Sequence, residues 1–155
     1  MYVSVIGAGE AGPDALADAE AVGLELARAG AIVVCGGRGG VMEAACRGAA
    51  AEGGVSVGLL PDADRGHANP FLTVALPTGM GELRNGLVAR AGDAVIAIGG
   101  EFGTLSEIGF ALWGGRPVVG LGTWELARGG QPVAAIEVAA GPQDAVARAL
   151  ALARR

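Results

Sequence analysis

Seven short apolar runs, separated by segments with helical periodicity, constrain the fold of this chain more than any other feature. The runs are Val3–Ile6, Ala31–Cys35, Val55–Leu60, Phe71–Leu76, Ala94–Ile98, Pro117–Leu121 and a weaker Ala134–Val138. Most are nearly continuous rather than alternating, the pattern of strands covered on both faces. Between the first two, Asp14–Arg28 places Ala15, Ala19, Val22 and Leu26 on one helical face, and Gly30 supplies a stop. Gly81–Ala91 carries Leu83, Leu87 and Ala91 at i, i+4 and i+8, so Leu83 and Leu87 are expected to face the core. Asp144–Arg155 reads as a terminal helix. Strands alternating with helices give an α/β fold: one domain over residues 1–155, a mostly parallel sheet of about seven strands, and helices on both faces joined by right-handed crossovers.

Composition narrows the function classes. Hydrophobic residues make up 52% of the 155 residues and charged residues 17%, which is too apolar for a disordered chain. No apolar run reaches membrane-spanning length, and Met1–Ile6 lacks the basic start of a signal peptide, so no membrane partner and a cytoplasmic location are expected. The net charge is −5, and apart from the Arg154-Arg155 tail there is no basic cluster, which argues against a nucleic-acid polymer as partner. A small anion held by loop amides needs only a local field. Cys35 and Cys46 lack metal-ligand spacing and read as buried structural thiols, and the single histidine, His67, reads as solvated. No metal site is expected. The irregular segment Pro61–Pro70 reads as a loop near the edge of the site.

The chemistry is concentrated in glycine-rich turns. Gly99-Gly100-Glu101-Phe102-Gly103-Thr104-Leu105-Ser106-Glu107 lies between the run Ala94–Ile98 and a helical pattern of Leu105, Ile108 and Leu112. Such a turn places unpaired backbone N–H groups at a helix N-terminus, a ready anion site. Gly36-Gly37-Arg38-Gly39-Gly40 repeats the arrangement after Ala31–Cys35 and opens a helix at Val41. In open parallel sheets ligands bind at this strand edge. Gly7-Ala8-Gly9-Glu10-Ala11-Gly12 matches the dinucleotide fingerprint in letters, but Pro13 pushes the helix start beyond it and the second strand ends without an acidic residue for a ribose. These glycines serve a different ligand, or only a turn.

Two side chains have two readings each. Thr104-Leu105-Ser106-Glu107 has the form of a capping box, with Thr104 as the cap and Glu107 reaching back to its N–H; the same carboxylate can also face a ligand. Arg84 is either a solvated arginine just off the buried stripe or a clamp for phosphate oxygens, a task that suits a guanidinium better than an ammonium. The neighbouring Asn85-Gly86 breaks helix propensity, as functional or tightly packed positions do.

Together these residues resemble the Lonely Guy (LOG) superfamily, often mislabelled as lysine decarboxylases, over roughly residues 3–121. Gly103-Thr104-Leu105-Ser106-Glu107 matches the GTxxE half of its PGGxGTxxE signature, Arg84 stands at the upstream arginine position, and Asp93-Ala94-Val95-Ile96-Ala97 matches the strand leading into the loop. The PGG positions are here Gly99, Gly100 and Glu101, and a carboxylate pointing inward would repel a phosphate. Thr78–Asn85, Gly36–Glu43 and Gly99–Glu107 look closer to the short branch containing molybdenum cofactor carrier proteins. The resemblance implies a Rossmann-like three-layer α/β/α sandwich. It also implies a binding or carrier protein for a phosphorylated nucleotide-like ligand, a molybdopterin-type cofactor or a nucleotide being the candidates. Gly7, Gly9, Gly37, Arg38, Gly39, Gly40, Asn85, Gly99, Gly100, Gly103 and Thr104 would bind it, with Arg84 on its anionic group and Glu107 on hydroxyl or amino groups. The alternative is a nucleoside 5′-monophosphate phosphoribohydrolase, in which Arg84 and Glu107 are the catalytic pair that cleaves the N-glycosidic bond.

A homo-oligomer, dimer or tetramer, is expected as well. Helices rich in small residues, such as Ala44–Ala51, offer a monomer little core area, and Phe110 and Trp113 end a helix beside the sheet. Those two aromatics either cover a neighbouring subunit or fill the chain's own core. LOG-type proteins are similar in pairing through helices beside the site.

Overall fold

The computed structural model describes residues 1–154; Arg155, the end of the expected terminal helix and of the Arg154-Arg155 tail, lies outside the described residues. All seven apolar runs become strands: β1 (Tyr2–Gly7), β2 (Ile32–Cys35), β3 (Ser56–Leu60), β4 (Val74–Pro77), β5 (Ala94–Ile98), β6 (Val118–Leu121) and, after a hairpin, β9 (Ile136–Val138). They form one sheet in the order β4-β3-β2-β1-β5-β6-β9, with every pairing parallel. The chain winds outward from β1 to β4, then crosses back to β5 beside β1. The strand order therefore reverses between β1 and β5, where a doubly wound sheet leaves a crevice at its carboxyl edge.

Alternate residues of the central strands feed two cores. Val3, Val5, Val33, Ile96 and Ile98 pack against α1 (Pro13–Arg28), α2 (Val41–Ala51) and α5 (Pro142–Leu152). Ile6, Val95, Ala97 and Val118 pack on the other face against α3 (Asn85–Ala91) and α4 (Phe102–Trp113). Both layers follow from the two-fold alternation of side chains along a strand. Ser4 is fully buried and donates its hydroxyl to the carbonyl of Val88 at 2.6 Å, fixing α3 to β1.

Four expectations need correction. The fourth strand starts three residues later than its apolar run, and as an edge strand it leaves Val74 and Leu76 exposed. A two-stranded hairpin, β7 (Leu126–Arg128) with β8 (Gln131–Val133), turns at Gly129-Gly130 and is mostly exposed, so no apolar run announces it. The small residues of α2 pack within the chain: a Cβ on Gly23 would strike the backbone of Ala45, and one on Gly48 the backbone of Glu20. Small side chains thus serve a close α1–α2 contact. Finally, Gly81–Ala91 is not one helix. A 3₁₀ turn over Gly81–Arg84 precedes α3 and rotates the face: Arg84 and Asn85 are buried, whereas Leu83 is 77% and Leu87 45% exposed.

Candidate functional site

A cavity of about 280 Å³ opens at the crevice between β1 and β5. Gly7 ends β1 and Ala8, Gly9 and Glu10 follow it, Arg38 and Met42 follow β2, and Glu82, Arg84 and Asn85 come from the 3₁₀ turn and α3. Glu101, Gly103, Thr104 and Glu107 close it from the start of α4. Of the expected positions, Gly7, Gly9, Arg38, Arg84, Asn85, Gly103, Thr104 and Glu107 meet in this wall. Gly37, Gly39 and Gly40 stand behind it and shape the turn: Gly40, at φ +65°, brings the loop against Ala8, whose carbonyl accepts the Val41 N–H at 3.1 Å. Gly99 and Gly100 line an adjoining depression with Gly122, Thr123 and Trp124. Gly100 sits at φ +103°, and a Cβ there would lie 2.5 Å from the Thr104 side chain.

The wall also contains Ala8, Glu10, Met42 and Glu82, which the sequence reading did not single out. Glu10 and Ala8 were visible inside the glycine fingerprint; Met42 and Glu82 carried no local signal. The capping box is not formed. The first residue of α4 is Phe102, the cap is Glu101 in extended conformation, and Thr104 lies inside the first turn. Leu105 donates the first helical backbone bond, to Glu101 at 3.0 Å, so the amides of Phe102, Gly103 and Thr104 lie at the free N-terminal end. Gly103 faces open space, since a Cβ there would meet nothing within 4 Å.

Arg84 and Glu107 face one another beneath this opening, both buried, with Nη1 of Arg84 3.9 Å from Oε1 of Glu107. Arg84 also donates to the Asn85 side chain and, at 3.4 Å, to the carbonyl of Gly36. Its Nε is buried with no acceptor among the described residues. Burial pushes the Glu107 carboxyl up to about 8; the Arg84 guanidinium opposes this and the Glu82 carboxylate adds to it. Near neutral pH Glu107 is therefore mostly a protonated acid that can donate a hydrogen bond. Arg38 is already engaged: its Nη2 donates to both carboxylate oxygens of Asp62, at 2.7 and 2.8 Å. That contact holds the Asp62 carboxyl below its usual range.

The wall is therefore mixed in character. One end offers helix-terminal amides and the Arg84 guanidinium, which favour an anion. The exposed carboxylates of Glu10, Glu82 and Glu101 border the rest and favour hydrogen-bond donors. Glu101 lies at the cavity, where a bare phosphate beside it would be repelled. Among the described residues, no three His, Cys, Asp or Glu side chains come together as metal ligands, and no helix is long and apolar enough to cross a membrane.

The chain as a whole is similar to proteins of known structure. The molybdenum cofactor binding protein from Rippkaea orientalis superposes with a TM-score of 0.87 at 30% identity, over 97% of this chain and 96% of that one. The molybdenum cofactor carrier protein of Chlamydomonas reinhardtii gives 0.84 at 27% identity, over 99% and 98%. An uncharacterised protein of Archaeoglobus fulgidus is 40% identical over 121 residues, 78% of this chain and 80% of that protein. A family model described as the SLOG cluster4 family matches residues 1–147, and the chain belongs to that family.

Proposed function

We propose that the protein is a binding or carrier protein for a phosphorylated, nucleotide-like ligand, with a molybdopterin-type cofactor as the foremost candidate. The observation that carries this reading is the two-ended cavity. The Gly103 and Thr104 amides with Arg84 suit a phosphate, and the carboxylates of Glu10, Glu82 and Glu101 suit the donor-rich edge of a pterin or purine. The structural likeness to a molybdenum cofactor binding protein from Rippkaea orientalis supports the pterin class. In this reading the protein works in the cytoplasm as a homo-oligomer. Mass spectrometry of small molecules released from the purified protein tests it: a stoichiometric phosphorylated pterin or nucleotide is the expected result. Failure to carry or bind any phosphorylated heterocycle, with ribose 5-phosphate and GMP as probes, overturns it.

One observation favours a second reading. A buried carboxyl raised to about 8 beside an arginine is suited to donate a proton to a leaving base, as N-glycosidic hydrolysis of a nucleoside 5′-monophosphate requires. Release of ribose 5-phosphate from a panel of nucleoside monophosphates, lost in Glu107→Gln, would establish that enzyme in place of the carrier.

A further inference from the structure

We infer that Cys35 and Cys46 form a reversible disulfide that tightens the loop Gly36–Gly40 behind the site. Both thiols are free, both have no solvent exposure, and their sulfurs lie 3.5 Å apart. A disulfide needs about 2.05 Å, so closure requires an approach of roughly 1.5 Å. Cys35 is the last residue of β2 and Cys46 lies in the second turn of α2, so the bond would close a ring around the whole glycine loop.

The thiols are already tied to that loop. Asn69 donates its backbone N–H to the carbonyl of Gly37 at 2.9 Å and its side-chain amide to the carbonyl of Arg38 at 3.2 Å. The polar side chains of Asn69 and Ser56 lie beside Cys46 and lower its thiol. The carbonyl of Gly36, next to Cys35, accepts from Arg84. The pair is also asymmetric. Its hydrogen bond with Cys35, helped by Asn69 and Ser56, holds the Cys46 thiol below its usual range, while the same contact and burial push Cys35 well above it. We take Cys46 as the attacking thiol and Cys35 as the resolving one.

The oxidant is a hydroperoxide, which reaches the pair when the loop opens. The Cys46 sulfur attacks the outer peroxide oxygen, the O–O bond breaks, and the alcohol or water leaves with the Cys46 proton. The Cys46 sulfenic acid that results is attacked by the Cys35 sulfur. The S–O bond breaks and water leaves, carrying the Cys35 proton. Two thiols and one hydroperoxide thus give a disulfide, an alcohol or water, and one water. A dithiol reductant reverses the change.

The test treats the reduced protein with hydrogen peroxide, denatures it, alkylates it and weighs it. The expected product has lost two hydrogens, resists alkylation at both positions, and regains both thiols with dithiothreitol; Cys46→Ser should show no such loss. Wild-type protein that keeps both thiols alkylatable, or gains oxygen without losing two hydrogens, overturns the proposal. Amide exchange over residues 36–40 reads the effect on the loop. Oxidation should slow it by about tenfold, reversibly, because a cross-link restricts local opening. Unchanged or faster exchange in the disulfide form overturns the tightening. Neither readout uses a ligand, so the result is independent of the proposed function.

Discussion

The buried pair of Arg84 and Glu107 decides the chemistry available at the level of single residues. A carboxylate 3.9 Å from a guanidinium would ordinarily be lowered, yet burial outweighs the attraction and Glu107 rises from 4.5 to about 8. An acid whose folded value exceeds its unfolded value adds stability that is complete below about 4.5. That stability is lost as the pH rises through about 8. The folded protein should therefore lose stability across this window, by on the order of 5 kcal/mol at most from this group alone. Glu107→Gln should flatten that part of the profile and be the more stable protein above the window. Urea melts of both proteins at pH 5, 7 and 9 check this, and parallel profiles would refute it. Arg84 offers the complementary test. Its Nε lacks an acceptor among the described residues, so a ligand oxygen there gains a charge-assisted bond at little reorganisation cost. Arg84→Lys keeps the charge but loses the fork, and affinity for ribose 5-phosphate measured calorimetrically should fall by about tenfold or more.

Among the elements, the starts of α2 and α4 and the close contact of α1 with α2 carry most of the design. Gly103→Val should fold normally, since the added side chain enters open space, yet it should abolish binding of ribose 5-phosphate because that space is the approach to the α4 amides. Undiminished affinity in the folded variant would remove α4 from the binding site. Gly48 behaves oppositely. Alanine in place of a mid-helix glycine ordinarily stabilises by about 0.5–1 kcal/mol, but here the Cβ strikes the Glu20 backbone, and overpacking costs about 1–3 kcal/mol. Gly48→Ala should therefore lower the thermal midpoint. The same elements show what was legible in the sequence. The seven strands of the sheet were visible because each contains an apolar run, six of them with glycine or proline at one end or both, and the α4 loop because its glycines follow the buried run Ala94–Ile98. The α3 face was misread. A helical periodicity assumes one uninterrupted helix, whereas the 3₁₀ turn at Gly81–Arg84 turns the polar Arg84 and Asn85 inward and the leucines outward. The hairpin at Gly129-Gly130 had a turn signal but no buried stripe, since its strands pack little.

For the whole molecule, that rotation has a consequence for assembly. Leu83 and Leu87 on one side, and Phe110 and Trp113 on the neighbouring α4, leave the outer face of the α3–α4 layer apolar; Leu83 is 77% and Trp113 79% exposed. Phe110 and Trp113 therefore do not fill the chain's own core. Scattered exposed apolar residues need no explanation, but large ones gathered on two packed helices mark an interaction surface. The 3₁₀ turn and α3 together present Arg84 and Asn85 to the cavity and Leu83 and Leu87 to the outside, so a subunit docked on this face would brace the elements that carry the site. The face is self-complementary in chemistry, apolar with Arg90 stacked on the Trp113 ring, which suits a two-fold interface. Sedimentation equilibrium should show a dimer or tetramer of the 15.2 kDa chain. Trp113→Glu places a charge on this face at a position that is 79% exposed, so it should release folded monomers with an unchanged circular dichroism spectrum. Affinity for ribose 5-phosphate should fall with dissociation, because the brace on α3 is gone. A wild-type protein that sediments as a 15.2 kDa monomer at micromolar concentration would overturn the assembly, and a Trp113→Glu protein that stays oligomeric would place the interface on another face.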